Sequence, residues 1–410
     1  MALNVAAIRR EFPILRRTIN GHPLICLDNA ATALKPEAVV QSMDRFYRES
    51  NGNPHRSMHV LAEEATIAYE EARRTVQRFI GAAAPEEIIF TKNCTEAINL
   101  VARSLGSTLK TGDEVLLTLL EHHSNIVAWQ ALAAERGIVI RWIDIDDRGH
   151  LRLDQLREYL RGGRVKLVGV TGQSNVLGVR PPLAEMIHLA RAAGALVLVD
   201  AAQSIAHMPT DVRALDIDFL AFSGHKLYGP TGIGVLYGKR ALLERMPPFL
   251  GGGQMIHEVT TDGFSSADIP HKFEAGTMPV AEAVGLRSAI DWLSQYPWDE
   301  IIAHERSLID HTYRTLTSID GLRIIGSDDP SDIHGCLSFT IDGVHPHDLT
   351  DILGKRGICL RAGHHCTQPL HRRLGLTATT RLSIGIYNMT EEIDAAAGAI
   401  EQVLAVLLSH

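Results

Sequence analysis

In the stretch LRAGHHCTQP, Leu360–Pro369, Cys366 follows His364 and His365, with Arg361 and Gly363 just upstream. A thiol among cations and imidazoles in a polar loop ionises readily and stays reachable, whereas structural cysteines sit among apolar neighbours. Three roles compete for Cys366: metal ligand, nucleophile, or incidental loop residue. Consecutive His-His-Cys side chains splay apart, which disfavours a single ion collecting all three. The choice between the other two depends on the rest of the chain.

Five apolar runs elsewhere end in residues able to bind or react. EIIFT is followed by Asn93, Cys94 and Thr95, and EVLLTLL by Glu121, His122 and His123. VKLVGVTGQ leads to Ser174 and Asn175, ALVLV to Asp200 and Gln203, and DFLAF to Ser223, His225 and Lys226. One polar loop means little, but five in succession carry a signal. Thr95 opens a helical pattern, whose free amides suit a phosphate. Ser223 and His225 add donors for the same anion. Asp200 directly follows an apolar strand, where a buried carboxylate needs a partner such as a protonated ring nitrogen. His123 can stack on a planar ring and move protons, and Lys226 can form a Schiff base with an aldehyde. Phosphate, pyridine nitrogen, planar ring and aldehyde together describe pyridoxal 5′-phosphate.

The elements that would hold these residues alternate strand and helix from about Glu87 to Tyr237. Several strands are almost continuously apolar, as expected for an α/β sheet, mostly parallel and covered on both faces. In such sheets ligands bind beyond the carboxyl ends of the strands. Before it, Leu61, Ala65, Ala68, Ala72, Val76 and Phe79 fall on one helical stripe. After about Gly285 the pattern changes to a helix, VGLRSAIDWLSQY, then alternating strands in CLSFTID and RLSIGIYN, and a last helix from Thr390. The expected organisation is an N-terminal segment over residues 1–20 packing with the small domain, a large domain over 21–285, and a small α/β domain over 286–410 carrying the cysteine loop.

At 410 residues, 45% hydrophobic and 21% charged, the chain has the composition of a folded protein with a large core. A net charge of −8 with scattered basic residues argues against nucleic-acid binding. The start MALNVAAIRREFPIL places an arginine pair where a signal peptide needs apolar residues, and no run reaches membrane-spanning length. A cytoplasmic location with no membrane contact is expected. Five cysteines at irregular spacing, without CxxC or HExxH, favour free thiols and no metal site.

The motifs SGHKLYGPTGIGVLYG, VLVDAAQS, EHHSNIVAWQ, SNVLG, FEAGT and RAGHHC resemble those of Suf-type (group II) cysteine desulfurases, relatives of selenocysteine lyases. The likeness runs from Asp28 to Asp394. It implies the class V aminotransferase-like, type I fold of pyridoxal-phosphate enzymes, with a seven-stranded, mostly parallel sheet and a smaller C-terminal α/β domain. It implies that Lys226 holds the cofactor, His123 stacks on it, Asp200 pairs with its ring nitrogen and Gln203 with its hydroxyl. Thr95, Ser223 and His225 would bind the phosphate, and Thr277 the phosphate of a second subunit in a homodimer. Arg381, Asn175, Arg361 and His55 map to the substrate, L-cysteine, and Cys366 to the residue that takes its sulfur as a persulfide. The sulfur would pass to an acceptor of the SufE or SufU type for iron–sulfur cluster assembly.

Two positions depart from that pattern: Cys94 stands where threonine or alanine is expected, read as a small filler, and Ser124 where alanine is usual. His364 and His365 are as readily loop-solvating residues as functional ones. His347, in VHPHDL with His345, reads first as part of a solvated turn and second as a docking residue for the acceptor. Other readings are a selenocysteine lyase, another enzyme of the same cofactor class with Cys366 as bystander, or a non-catalytic scaffold.

Overall fold

The computed structural model describes residues 3–55 and 57–407, so residues 1–2 and 408–410 of the expected end segments lie outside the described residues. Seven strands form the central sheet: β1 (Ile88–Thr91), β2 (Glu114–Thr118), β3 (Val139–Ile143), β4 (Val165–Thr171), β5 (Leu196–Asp200), β6 (Phe219–Ser223) and β7 (Gly234–Gly238). Their spatial order is β1-β7-β6-β5-β4-β2-β3. β7 runs antiparallel to β1 and β6, and the other pairs are parallel. The apolar runs reflect double-sided burial. In β6, Phe219 and Ala221 join one hydrophobic cluster while Leu220 and Phe222 join the other, the two-residue alternation of a strand. Each large side chain buried this way contributes about 1.5–3 kcal/mol.

Helix α1 (Val60–Phe79) packs against the sheet, but its buried stripe is Ala62, Ala65, Tyr69, Ala72 and Val76. Leu61, expected inside, is 44% exposed. The stripe includes Arg73, which apolar patterning cannot rank as interior. Its guanidinium is neutralised by buried Glu274 at 2.7 Å, which also accepts from Tyr69 Oη and Phe90 N. Helices α2 (Cys94–Ser104) and α3 (Ser124–Arg136) follow β1 and β2.

A second sheet of β8 (Leu322–Ile325), β9 (Cys336–Ile341), β10 (Arg361–Gly363) and β11 (Thr379–Ser383) is antiparallel throughout, in the order β8-β9-β11-β10. Ile384 and Ile386, expected as strand residues, follow the end of β11 and are fully buried. Helix α4 (Val280–Leu293) runs unbroken through residue 285, and α5 (Trp298–Thr317) follows it. The N-terminal segment packs on α4 and on the chain after β11. Phe12 meets Trp292 at 5.3 Å and Tyr387 at 4.5 Å between ring centres. Ile25–Cys26 pairs in parallel with Ile358–Cys359, and Leu27 enters the core of the smaller sheet.

The segment after β4 joins the two sheets. Ser338 Oγ on β9 donates to Val176 O at 2.8 Å, and His334 N donates to Gly178 O at 3.0 Å. These bonds fix β9 and β11 beside the carboxyl end of the large sheet.

Candidate active site

The carboxyl ends of β2, β4, β5 and β6 and the start of α2 converge on a cavity of about 200 Å³. Short helix α6 (Gln368–Arg373) follows the loop that closes the cavity from the smaller sheet. At one pole Asn93 caps α2, its Oδ1 accepting from Glu96 N at 2.9 Å. Gly234 is required here: a Cβ on it would lie 2.4 Å from the Asn93 backbone. Cys94 N donates to Ser223 Oγ at 2.9 Å, and the hydroxyls of Thr95 and Ser124 are 2.7 Å apart. Thr95, Ser223 and His225 all line this pole. Burial and the nearby Lys226 and Lys35 amines push His225 down to about 4, so it is neutral near pH 7.

Asp200 is 3% exposed at the end of β5. Its Oδ1 accepts from Ala202 N at 3.0 Å and from Cys94 Sγ at 3.4 Å, while no hydrogen bond from the described residues reaches Oδ2. Burial raises this carboxyl above its usual range. The Lys226 amine is pushed below its ordinary value, chiefly by burial, against the pull of Asp200. A buried carboxylate with a free oxygen, a readily deprotonated amine and a hydroxyl-lined helix start fit a pyridinium, an aldehyde and a phosphate. Gln203 lines the cavity with its Nε2 donating to Ala30 O at 2.8 Å.

Arg381, on β11, is 1% exposed. It donates from Nη1 to Asn175 O and from Nη2 to Asp28 Oδ1, both at 3.0 Å, and its buried Nε has no partner. Asp28, which sequence reasoning passed over, thus holds the guanidinium, leaving Nε available to an incoming anion. Arg361 lines the same wall.

Cys366 lines the cavity with Lys226 and is half-buried. His365 and Cys366 both have positive φ, 49° and 60°, uncommon for residues with a Cβ. Both carbonyls are tied to the large sheet: Asn175 Nδ2 donates to His365 O at 2.8 Å and His123 N to Cys366 O at 2.7 Å. Burial pushes the thiols of Cys26 to about 12 and Cys336 to about 11, and also raises Cys94 and Cys359.

Of the two adjacent histidines, His122 lines the cavity and His123 does not. His123 Nε2 accepts from Gln368 N at 3.0 Å, placing that ring against the cysteine loop. His122 Nδ1 accepts from Ser124 N at 3.1 Å. Two neighbouring imidazoles look alike in sequence, and only the start of α3 at Ser124 separates their directions. Thr277 lines a different cavity, and His55 packs on α1 with its Nε2 3.3 Å from Glu70. Within one chain these two are not brought to the Lys226 cavity.

The family model for class-V aminotransferases matches residues 25–396. A probable cysteine desulfurase of Streptomyces coelicolor is 46% identical over 98% of this chain and 97% of its own length. A probable cysteine desulfurase of Synechocystis is 47% identical over 95% of this chain and 93% of its own. The crystal structure of the Escherichia coli cysteine desulfurase CsdA superposes with a TM-score of 0.91 at 42% identity, covering 99% of this chain and 100% of that one. The chain belongs to the aminotransferase class-V family. It is a pyridoxal-phosphate-dependent enzyme of the cysteine desulfurase kind.

Proposed function

We propose that the chain converts L-cysteine to L-alanine and carries the sulfur away as a persulfide on Cys366, in a Suf-like role supplying iron–sulfur cluster assembly. The observation that carries this reading is one cavity lined by both the Lys226 amine and the Cys366 thiol.

Pyridoxal phosphate, when bound, supplies an electron sink for the pair released at the substrate Cα. Thr95, Ser223, His225 and the amides of α2 would hold its phosphate, Asp200 its ring nitrogen and Gln203 its hydroxyl. His122, the imidazole lining the cavity, takes the ring-facing role expected of His123. Lys226 has a lowered proton affinity, so it is available both to hold the aldehyde and to move the Cα proton. Arg381 Nε is oriented for the substrate carboxylate, with Asn175 and Arg361 beside it. The Cys366 thiolate attacks the substrate sulfur, and the C–S bond breaks.

Thr277 and His55 lie outside the single-chain cavity, which supports a homodimer whose partner completes each site. An acceptor of the SufE or SufU type would collect the sulfur from the half-buried Cys366. The described residues contain no helix long and apolar enough to cross a membrane, in keeping with a cytoplasmic location. Mass analysis after adding L-cysteine tests the reading: an added sulfur on the Cys366 peptide, lost in Cys366→Ala, is expected. Unchanged alanine and sulfide release by that variant would leave Cys366 a bystander.

A further inference from the structure

The loop around Cys366 contains a hydrogen-bond chain whose direction can be worked out from its geometry. His365 is 4% exposed, and its Nε2 lies 3.2 Å from Thr379 O and 3.0 Å from Thr379 Oγ1. A carbonyl oxygen only accepts, so Nε2 carries a hydrogen. His371 Nδ1 lies 3.1 Å from Thr367 O and is protonated for the same reason. Its Nε2, 3.1 Å from Thr379 Oγ1, is then the acceptor of that hydroxyl's proton. The Thr379 hydroxyl therefore accepts from His365 and donates to His371.

This wiring leaves His365 Nδ1 a bare lone pair. It is buried and has no hydrogen-bond partner among the described residues. The ring is neutral, held down to about 2 chiefly by burial and then by the charges of Arg381 and Arg361. The other histidines nearby are engaged: His123 Nε2 accepts from Gln368 N, and His122 Nδ1 from Ser124 N. His364 is exposed, its ring edge-on to His371. His365, by contrast, lines the cavity beside Cys366, and the carbonyls of both residues are tied to the large sheet.

We propose that His365 Nδ1 accepts the proton of the Cys366 thiol during sulfur transfer, an inference that rests on Cys366 being the sulfur acceptor. The Sγ–H bond breaks and its proton goes to Nδ1. The sulfur lone pair forms the S–S bond as the substrate Cβ–S bond breaks, with its electron pair leaving on Cβ. The substrate sulfur keeps its own hydrogen, and His365 returns its proton to Cβ. L-Cysteine and a thiol become L-alanine and a persulfide, with no external oxidant or reductant. The substrate carboxylate controls the timing. Arg381 and Arg361 oppose protonation of the ring in addition to burial, and a carboxylate at Arg381 offsets their charge, so the bound amino acid makes the proton easier for the ring to hold. The groups facing the ring are Arg381 on β11, Arg361 on β10, His371 on α6 and the Thr379 hydroxyl, and Cys366 lines the same cavity.

The holoenzyme is pulsed with L-cysteine and quenched, and sulfur on the Cys366 peptide is counted by mass. In parallel, Cys366 alkylation by iodoacetamide is followed against pH with and without L-alanine, which supplies the carboxylate but no sulfur. H365N and H365Q, both non-basic, are compared with the native enzyme, with thermal melts as a folding check. L-Alanine is expected to move the native alkylation midpoint to lower pH. Both variants are expected to lose that shift and to form persulfide about 100-fold more slowly, the lower range for a general base. Persulfide formation at the native rate in a folded variant, or a native midpoint indifferent to L-alanine, overturns the proposal. No sulfur on native Cys366 overturns the sulfur-acceptor reading beneath it.

Discussion

The two walls of the cavity are built on different principles. On the large-sheet side, Thr171, Asp200 and Ala221 are register neighbours on adjacent strands, and the reactive groups extend from a fully paired sheet. On the other side, Cys366 sits in a loop with positive φ at Gly363, His365 and Cys366, held by bonds to Asn175 and His123 of the opposite wall. A fixed frame suits cofactor binding, where sub-ångström placement matters. A loop held by a few hydrogen bonds suits the role proposed for its thiol, meeting the substrate sulfur and then presenting its cargo outward. Strain at such residues persists only where the surroundings over-determine it.

Changes on the two walls should therefore fail differently. Lys226→Ala is expected to abolish turnover and the covalent, borohydride-trapped cofactor; trapping that persists would place the attachment elsewhere. Cys366→Ala should lose more than ~100-fold in sulfur transfer while keeping the native cofactor spectrum, since only the nucleophile is removed. Asp200→Asn should cost about 100-fold in kcat, ~2.7 kcal/mol, because a neutral amide no longer favours a protonated ring nitrogen. Cofactor absorbance against pH would register that change directly.

Acid and base should also distinguish His365 from Glu121. His365 binds protons less readily when folded, about 2 against 6.5, so its contribution is complete above pH 6.5 and is lost as pH falls toward 2. Glu121, buried under the large-sheet wall and raised from 4.5 to about 8, has the opposite sign: its contribution is complete below 4.5 and is lost as pH rises through 8. Each slope is at most ~1.4 kcal/mol per pH unit. Melting temperatures should depend less on acid in H365N and less on alkali in Glu121→Gln; parallel curves for native protein and variants would refute the assignment. The smallest effect is expected for Cys94→Ala, which removes one thiol hydrogen bond from Asp200 and should alter kcat only a few-fold, ~1 kcal/mol.

The sheet and its polar termini were legible because strands buried on both faces give long apolar runs and ligand-binding residues follow them directly. Lys226, Asp200 and Ser223 were found from that pattern and Cys366 from the polar, cationic loop around it, and all four line one cavity. Leu61 was misplaced because a paired, buried Arg73 shifts the stripe of α1 without leaving an apolar mark. Cys94, read as a filler, donates to Asp200, a contact between β5 and α2 that no local pattern encodes.

By itself the sequence determined the residue types, their order along the sheet and the class of chemistry, because strand periodicity and reactive side chains are local properties. Only the tertiary structure decided which of His122 and His123 faces the cavity, that Asp28 holds Arg381, and which nitrogen of His365 is bare. Those outcomes depend on hydrogen bonds between groups distant in the chain, and a partner's direction in space leaves no trace in the letters around a residue.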